Sequence, residues 1–227
     1  MPVILGLLFI IALAVLPSLW VRAVIARHSV NRPDLPGTGG ELARHLLDEM
    51  GLTGVKVEET AHGDHYDPEL KAVRLMPDRF HGHSLSAAVI AAHEVGHAMQ
   101  DATGSALLKT RTRLAKTAIY IERAGGIVML VAPLVVLLLR HPGVLLAELG
   151  LGLIILGMGV VLQLTTLPVE FDASFNRALP VLQAGRYIPE ADLPAARSIL
   201  RAAAFTYVAA ALMSLINIAR WLRVLRI

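Results

Sequence analysis

His93-Glu94-Val95-Gly96-His97 carries the densest chemistry in this chain. Histidines four residues apart lie on one face of an α-helix, so both imidazoles can reach a single ion. Glu94 sits beside them, where a carboxylate can take a proton from a water activated by that ion. The pattern is that of a zinc helix with its own general base, and the chemistry it suits is hydrolysis of a polarised carbonyl. The flanking residues, Ser86 to Gln100, are rich in helix formers and contain no proline, so a helix is expected there. Average residue frequencies would produce such a pentapeptide by chance in roughly half a percent of chains this long. The competing reading is a pair of core histidines on a buried helix.

A catalytic zinc site takes three protein ligands and keeps one position open. The chain has no cysteine, which removes thiolate ligands, disulfides and cysteine catalysis and leaves His, Asp and Glu. Glu170, in Leu167-Pro-Val-Glu-Phe-Asp-Ala-Ser-Phe-Asn-Arg177, is the strongest third candidate. It follows directly on a long apolar segment, with Pro168 as a kink or as the opening of a new helical turn. A carboxylate at such a boundary is costly to bury without a partner, and a metal would be one. An ion pair with a nearby arginine is the competing account. Ser174 and Arg177 share the helical face of Glu170, while Asp172 points elsewhere and is read as a brace on one of the histidines. His81 and His83 in Phe80-His-Gly-His, and His62 and His65 in a polar loop, are weaker candidates because loop histidines are more often solvated. Asp101, just past the zinc helix, is read as an acid facing water rather than a partner of His97.

The elements that must hold these residues are mostly apolar. Of 227 residues, 55% are hydrophobic, more than an ordinary soluble domain carries. Pro2 to Val21 has no charge, no basic leader and no small-residue cleavage site, and reads as an uncleaved membrane anchor. Ala124 to Leu139, closed by Arg123 and Arg140, and Val144 to about Leu167, charged at Glu148, form a helical hairpin around the turn Arg140-His-Pro-Gly143. Ala202 to Ile218, with Thr206, Tyr207 and Asn217, is a fourth segment; its short span can be met by tilt or packing. The net charge of +3 arises from arginines at the ends of apolar runs, which indicates membrane orientation rather than nucleic-acid binding. Residues 22–123 and 168–201 hold 13 and 4 of the 21 lysines and arginines, and the positive-inside rule puts that side in the cytoplasm. The tail from Arg220 to Ile227, with three arginines, opposes this unless it lies along the interface with Trp221 inward.

Between the anchor and the hairpin the composition is that of a small folded domain. Asn31 to Gly40 is a Pro/Gly-rich linker, and Glu41 to Met50 has helical apolar spacing at Leu42, Leu46 and Met50 with Gly51 as its stop. Val55 to Glu58 and Ala72 to Leu75 alternate like strands, with the polar loop Ala61 to Pro68 between them. A strand shortly before the zinc helix is read as an edge to which an extended substrate adds, or as an ordinary structural hairpin.

Asp64-His-Tyr-Asp-Pro68, Ala92-His-Glu-Val-Gly-His-Ala-Met-Gln100, Leu167-Pro-Val-Glu-Phe-Asp-Ala-Ser174 and Thr206-Tyr-Val-Ala-Ala-Ala211 resemble the corresponding segments of the YugP-like membrane zinc metallopeptidases of bacteria, in the same order over nearly the whole chain. The resemblance implies an integral-membrane zinc peptidase with one zinc per chain, His93 and His97 as ligands and Glu94 as general base. Further analogy with HtpX-like and CAAX prenyl proteases implies Glu170 as the third ligand, a gluzincin-like arrangement. Those more distant relatives place an Asp four residues after the ligand Glu, where this chain has Ser174.

The fold expected is a mainly α integral membrane protein with about four transmembrane helices and a small zincin-like α+β catalytic domain between the first and second. Its parts are an anchor (1–21), the catalytic domain (22–123), a transmembrane hairpin (124–167), a third-ligand helix and connector (168–201), and a last transmembrane helix with a basic tail (202–227). The expected activity is cleavage of polypeptides at the bacterial inner membrane, with His65, Tyr66 or Arg177 stabilising the developing oxyanion. Three rivals stand beside it: a scaffold retaining a structural zinc, a site-2-type intramembrane protease, and a transporter. Glu94 argues against the first, the polar residues around the motif against the second, and the lack of repeats against the third.

Overall fold

The computed structural model describes residues 2–139 and 142–224. Arg140 and His141 of the expected turn, and Arg226 and Ile227 of the tail, lie outside the described residues, as do the side chains of Glu148, Asn217, Arg220 and Trp221. The chain forms two compact units, one built from residues 16–109 and 167–206, the other from residues 1–15, 110–166 and 207–227.

The first unit contains the end of α1 (Pro2–Arg27), α2 (Gly39–Glu49), three strands, α3 (Pro77–Phe80) and α4 (Leu85–Ala102). The chain returns to it through the last turn of α6 (Pro142–Phe171), a π-helical segment (Asp172–Ala178), α7 (Leu179–Ala184) and the start of α8 (Leu193–Val224). Thr38 opens α2 with a capping box: its Oγ accepts from Glu41 N at 3.2 Å and its own N–H donates to the Glu41 carboxylate at 2.8 Å. Gly51, at φ +70°, takes the left-handed conformation just past the helix end, as the sequence pattern requires. Leu46 and Leu47 of α2, Val89 and Val95 of α4, Leu182 of α7, and Ile199 and Leu200 of α8 form one core. Burying each such side chain contributes about 1.5–3 kcal/mol, which fixes α4 on nearly all sides.

The strands are β1 (Lys56–Glu59), β2 (His65–Asp67) and β3 (Ala72–Leu75), in the order β1-β3-β2. β1 runs parallel to β3, pairing Val57 with Val73, and β2 runs antiparallel to it, pairing Tyr66 with Val73. This corrects the expectation for Ala72–Leu75, which is the central strand and offers no free edge. The edge nearest in sequence to the motif helix is β2, inside the segment read as a polar loop. Three residues with one inward side chain, Tyr66, are too few to show alternation.

α5 (Ala106–Leu139), most of which lies in the second unit, is continuous through Lys109, Arg111, Arg113, Lys116 and Arg123 into its apolar half. The expected segment from Ala124 is therefore the later part of a longer helix, since nothing between Ala106 and Arg123 breaks one. Among its described apolar side chains Leu130 is 82% and Leu138 71% exposed, as is Leu146 of α6 at 70%. Among the described residues, two helical stretches, Leu149–Ala184 and Glu190–Ile216, are long and apolar enough to cross a membrane, with mean hydropathy 2.0 and 1.8 over an 18-residue apolar window within each. The other two expected segments are helical, Pro2–Val21 within α1 and Ala124–Leu139 within α5. The motif helix α4 is not one of the apolar stretches.

Candidate metal centre

α4 begins where Ser84 Oγ accepts from Ala87 N at 3.2 Å, an N-cap that sets the register of everything after it. That register puts His93 and His97 on one face with ring centroids 4.7 Å apart. The last turn of α6 passes over this face and delivers Glu170. Its Oε2 lies 3.1 Å from His93 Nε2 and 3.6 Å from His97 Nε2. One donor atom from each of the three residues falls within 4.8 Å of the others, and among the described residues no second group of this kind occurs.

The surroundings fit a metal. Glu170 is 4% exposed and His93 7%, so a carboxylate is buried between two imidazoles at the end of an apolar helix. Two nitrogens and one oxygen form the donor set of a three-ligand zinc site, whereas calcium and magnesium sites are built of oxygens. Burial alone would depress the His97 imidazole, but the Glu170 carboxylate facing it reverses the sign and raises it. Burial pushes the Glu94 carboxyl above its ordinary range, against the pull of the His93 and His97 imidazoles. Glu94 itself is 5% exposed and adjacent in sequence to the first histidine.

The far nitrogens of both rings are also engaged. His93 Nδ1 lies 3.1 Å from Ser174 Oγ. His97 Nδ1 lies 2.9 Å from Gln100 Oε1, and Gln100 Nε2 donates to Val169 O and to Asp172 Oδ2, each at 2.8 Å. Asp172 thus makes no hydrogen bond to either histidine; it stands one residue removed from His97. Ser174, at the position where more distant relatives carry Asp, is in contact with His93. Arg177 turns to Asp172, its Nε donating to Oδ2 at 2.9 Å. A five-residue spacing brings those two together because the segment is π-helical: Leu179 N–H reaches Ser174 O, so Ser174 still shares His93 with Glu170 but the seven-residue α-helical face that would include Arg177 does not apply.

Gly96 explains how α6 and the π segment come so close. A Cβ on Gly96 would stand 2.6 Å from Ala173 O and 3.3 Å from Ala173 C, so only glycine admits the backbone that carries Glu170 and Ser174. Gly96→Ala must displace that backbone, not a flexible side-chain tip. It is expected to weaken zinc binding at least tenfold and to destabilise the fold by about 1–3 kcal/mol. Chelator competition and thermal unfolding check this; unchanged zinc affinity would mean that the backbone yields without moving the ligands.

The remaining candidates lie elsewhere. Tyr66 OH donates to Asp101 Oδ2 at 2.6 Å, and Lys71 forms an ion pair with the same carboxylate. Asp101 is therefore a clamp between β2 and the end of α4, correcting its reading as an acid facing water. His65 Nδ1 is 2.8 Å from Gly63 O, and His81 Nε2 is 2.8 Å from the Glu59 carboxylate on the surface. His62, His65, His81 and His83 do not belong to the three-residue group. Sequence reasoning assigned no role to Gln100 or Gly96. The available signal for Gln100 was its place three residues after His97, within side-chain reach on a helix.

The family described as "Putative neutral zinc metallopeptidase" matches residues 3–226 of this chain. The chain is also 40% identical over 192 residues to the "Putative membrane protease YugP" of Bacillus subtilis (strain 168), an alignment covering 82% of this chain and 80% of that protein. No solved structure matches it.

Proposed function

The chain belongs to the family described as "Putative neutral zinc metallopeptidase", and from that premise we propose that it is a membrane-embedded zinc metalloendopeptidase with Glu94 as its general base. The observation that carries this reading is the buried His93, His97 and Glu170 cluster with a second buried carboxylate beside it. Three ligands leave a position open for chemistry, and a purely structural zinc would need no base next to its ligands.

Bound at these residues, zinc supplies Lewis acidity that lowers the pKa of a water toward 7 and polarises a carbonyl. The chain's own residues do the rest. His93 and His97 present Nε2, each ring held from behind at Nδ1. Glu94 accepts one proton from the water as its oxygen attacks the scissile carbon, then returns that proton to the amine as the C–N bond breaks. The products are a carboxylic acid and an amine, so the atoms of water and peptide balance. Substrate is a polypeptide at the membrane, laid along β2, an edge strand to which an extended chain can add. The Tyr66 hydroxyl hydrogen is used on Asp101, while His65 on the edge strand and the outer nitrogens of Arg177 remain candidates for the developing oxyanion.

We place the protein in the bacterial inner membrane as a multi-pass protein with the site on the cytoplasmic side. The support is the relative's description as a membrane protease, the two apolar stretches, and the concentration of basic residues on the segments that carry the site. The experiment that tests the function removes and restores the metal. Protein purified in detergent is expected to cleave casein, to lose that activity on dialysis against a chelator, and to regain it with one equivalent of zinc but not with magnesium. Cleavage by demonstrably zinc-free protein would defeat the proposal.

A further inference from the structure

Gln100 is completely buried, and its amide has one possible orientation. Two groups surround its nitrogen end, Val169 O and Asp172 Oδ2, and both are acceptors at 2.8 Å. A flipped amide would turn a fully buried oxygen toward two oxygens, so the NH₂ group must face them. Oε1 is then left for His97 Nδ1 at 2.9 Å, and an oxygen acceptor there requires the hydrogen to sit on Nδ1. Asp172 is itself held as an acceptor: Asn176 Nδ2 donates to its Oδ1 and Arg177 Nε to its Oδ2, each at 2.9 Å.

We infer that Gln100 is a positioning residue that holds His97 in the tautomer with its lone pair on Nε2, and that Asp172 acts on the metal centre through this amide. The direction of donation is the same at each step, from His97 to Gln100 to Asp172, so hydrogen-bond polarity runs away from the metal. A carboxylate that touches no ligand thereby orients one and raises its basicity. His93 is treated differently, because Ser174 Oγ can donate or accept and imposes no tautomer. The two histidines are unequal: His97 is preset, and His93 adapts.

This inference rests on the zinc reading, and the test separates the two. Zinc dissociation constants are measured by chelator competition on the full chain in detergent, for wild type, Gln100→Met, Asp172→Asn and the double variant, with thermal unfolding of each metal-free protein as a control on folding. Gln100→Met keeps the length of the side chain and is expected to weaken zinc about 10–100-fold. Asp172→Asn, which lets the neighbouring amide present either end, is expected to weaken it several-fold. The double variant should bind no more weakly than Gln100→Met alone, because both substitutions break one chain. A structural effect of Asp172 on packing would instead persist in the Gln100→Met background and multiply the loss. Wild-type affinity in Asp172→Asn, or multiplied losses in the double variant, overturns the relay while leaving the zinc site standing. If Gln100→Met does not fold, Gln100→Leu takes its place in the cycle, and unchanged affinity in Asp172→Asn still decides against the relay. No zinc in the wild type defeats the reading of the site itself.

Discussion

Glu94→Gln is expected to bind zinc like the wild type and to cleave peptide at least about 10²–10⁴-fold more slowly. The substitution keeps the volume of a side chain that is buried in α4, so the helix and its neighbours have no reason to move. It does not touch the three donor atoms, which come from His93, His97 and Glu170. What it removes is the capacity to accept a proton, since an amide oxygen is a far weaker base than a carboxylate. The loss therefore falls on the rate of the chemical step, with KM little changed. Zinc analysis and steady-state cleavage on the same preparation measure both quantities. A variant that retains cleavage would place the general base elsewhere; one that loses zinc would show that Glu94 helps to hold the site together.

Glu170→Ala is expected to do the opposite, emptying the site. Outer partners of zinc ligands command about 10–100-fold in affinity, and removal of a ligand should exceed that. The geometry makes the argument specific, because the one carboxylate oxygen faces both Nε2 atoms at 3.1 and 3.6 Å, and without it two imidazoles would have to share a dication alone. Glu170→Gln should be intermediate, as its amide oxygen can still donate a lone pair without the charge. The measurement is zinc per chain after gel filtration, supported by chelator competition. Full occupancy in Glu170→Ala would remove this residue from the site and redirect attention to His65, His81 and His83. Both substitutions are expected to suppress cleavage, but only the second is expected to lose the metal, so the pair distinguishes base from ligand.

Much of the candidate site is legible in the sequence. The two histidines and Glu94 follow from a spacing that only a helix makes meaningful, and α4 is a helix over the residues where the motif needs one. Glu170 was legible for a different reason: a carboxylate at the end of an apolar run demands a partner. Less was legible in the segment after it. α-Helical faces placed Arg177 beside Glu170, whereas the π-helical turn sends its Nε to Asp172. No residue in Asp172–Ala178 announces a π turn, and the close approach of Ala173 to Gly96 is equally invisible in the segment's own sequence. The sheet was half legible. Runs such as Val55–Glu58 and Ala72–Leu75 show alternation, but which strand is central depends on pairing partners, and β2 is too short to show a period.

The sequence by itself determined the local chemistry: a helix with imidazoles at i and i+4, a base beside them, the apolar segments, and the absence of any thiol ligand. These depend on residue type and on periods of a few residues, which a linear string contains. The tertiary structure alone decided which distant groups meet. Glu170 is 77 residues from His93, and Ser174 is 81. The role of Gln100 exists only because Val169 O and Asp172 arrive at its nitrogen from another helix. The physical reason is one of range. Helix periodicity and proton affinity are properties of neighbouring residues, whereas a buried hydrogen-bond network is set by the close approach of backbones, here at the contact between Gly96 and Ala173.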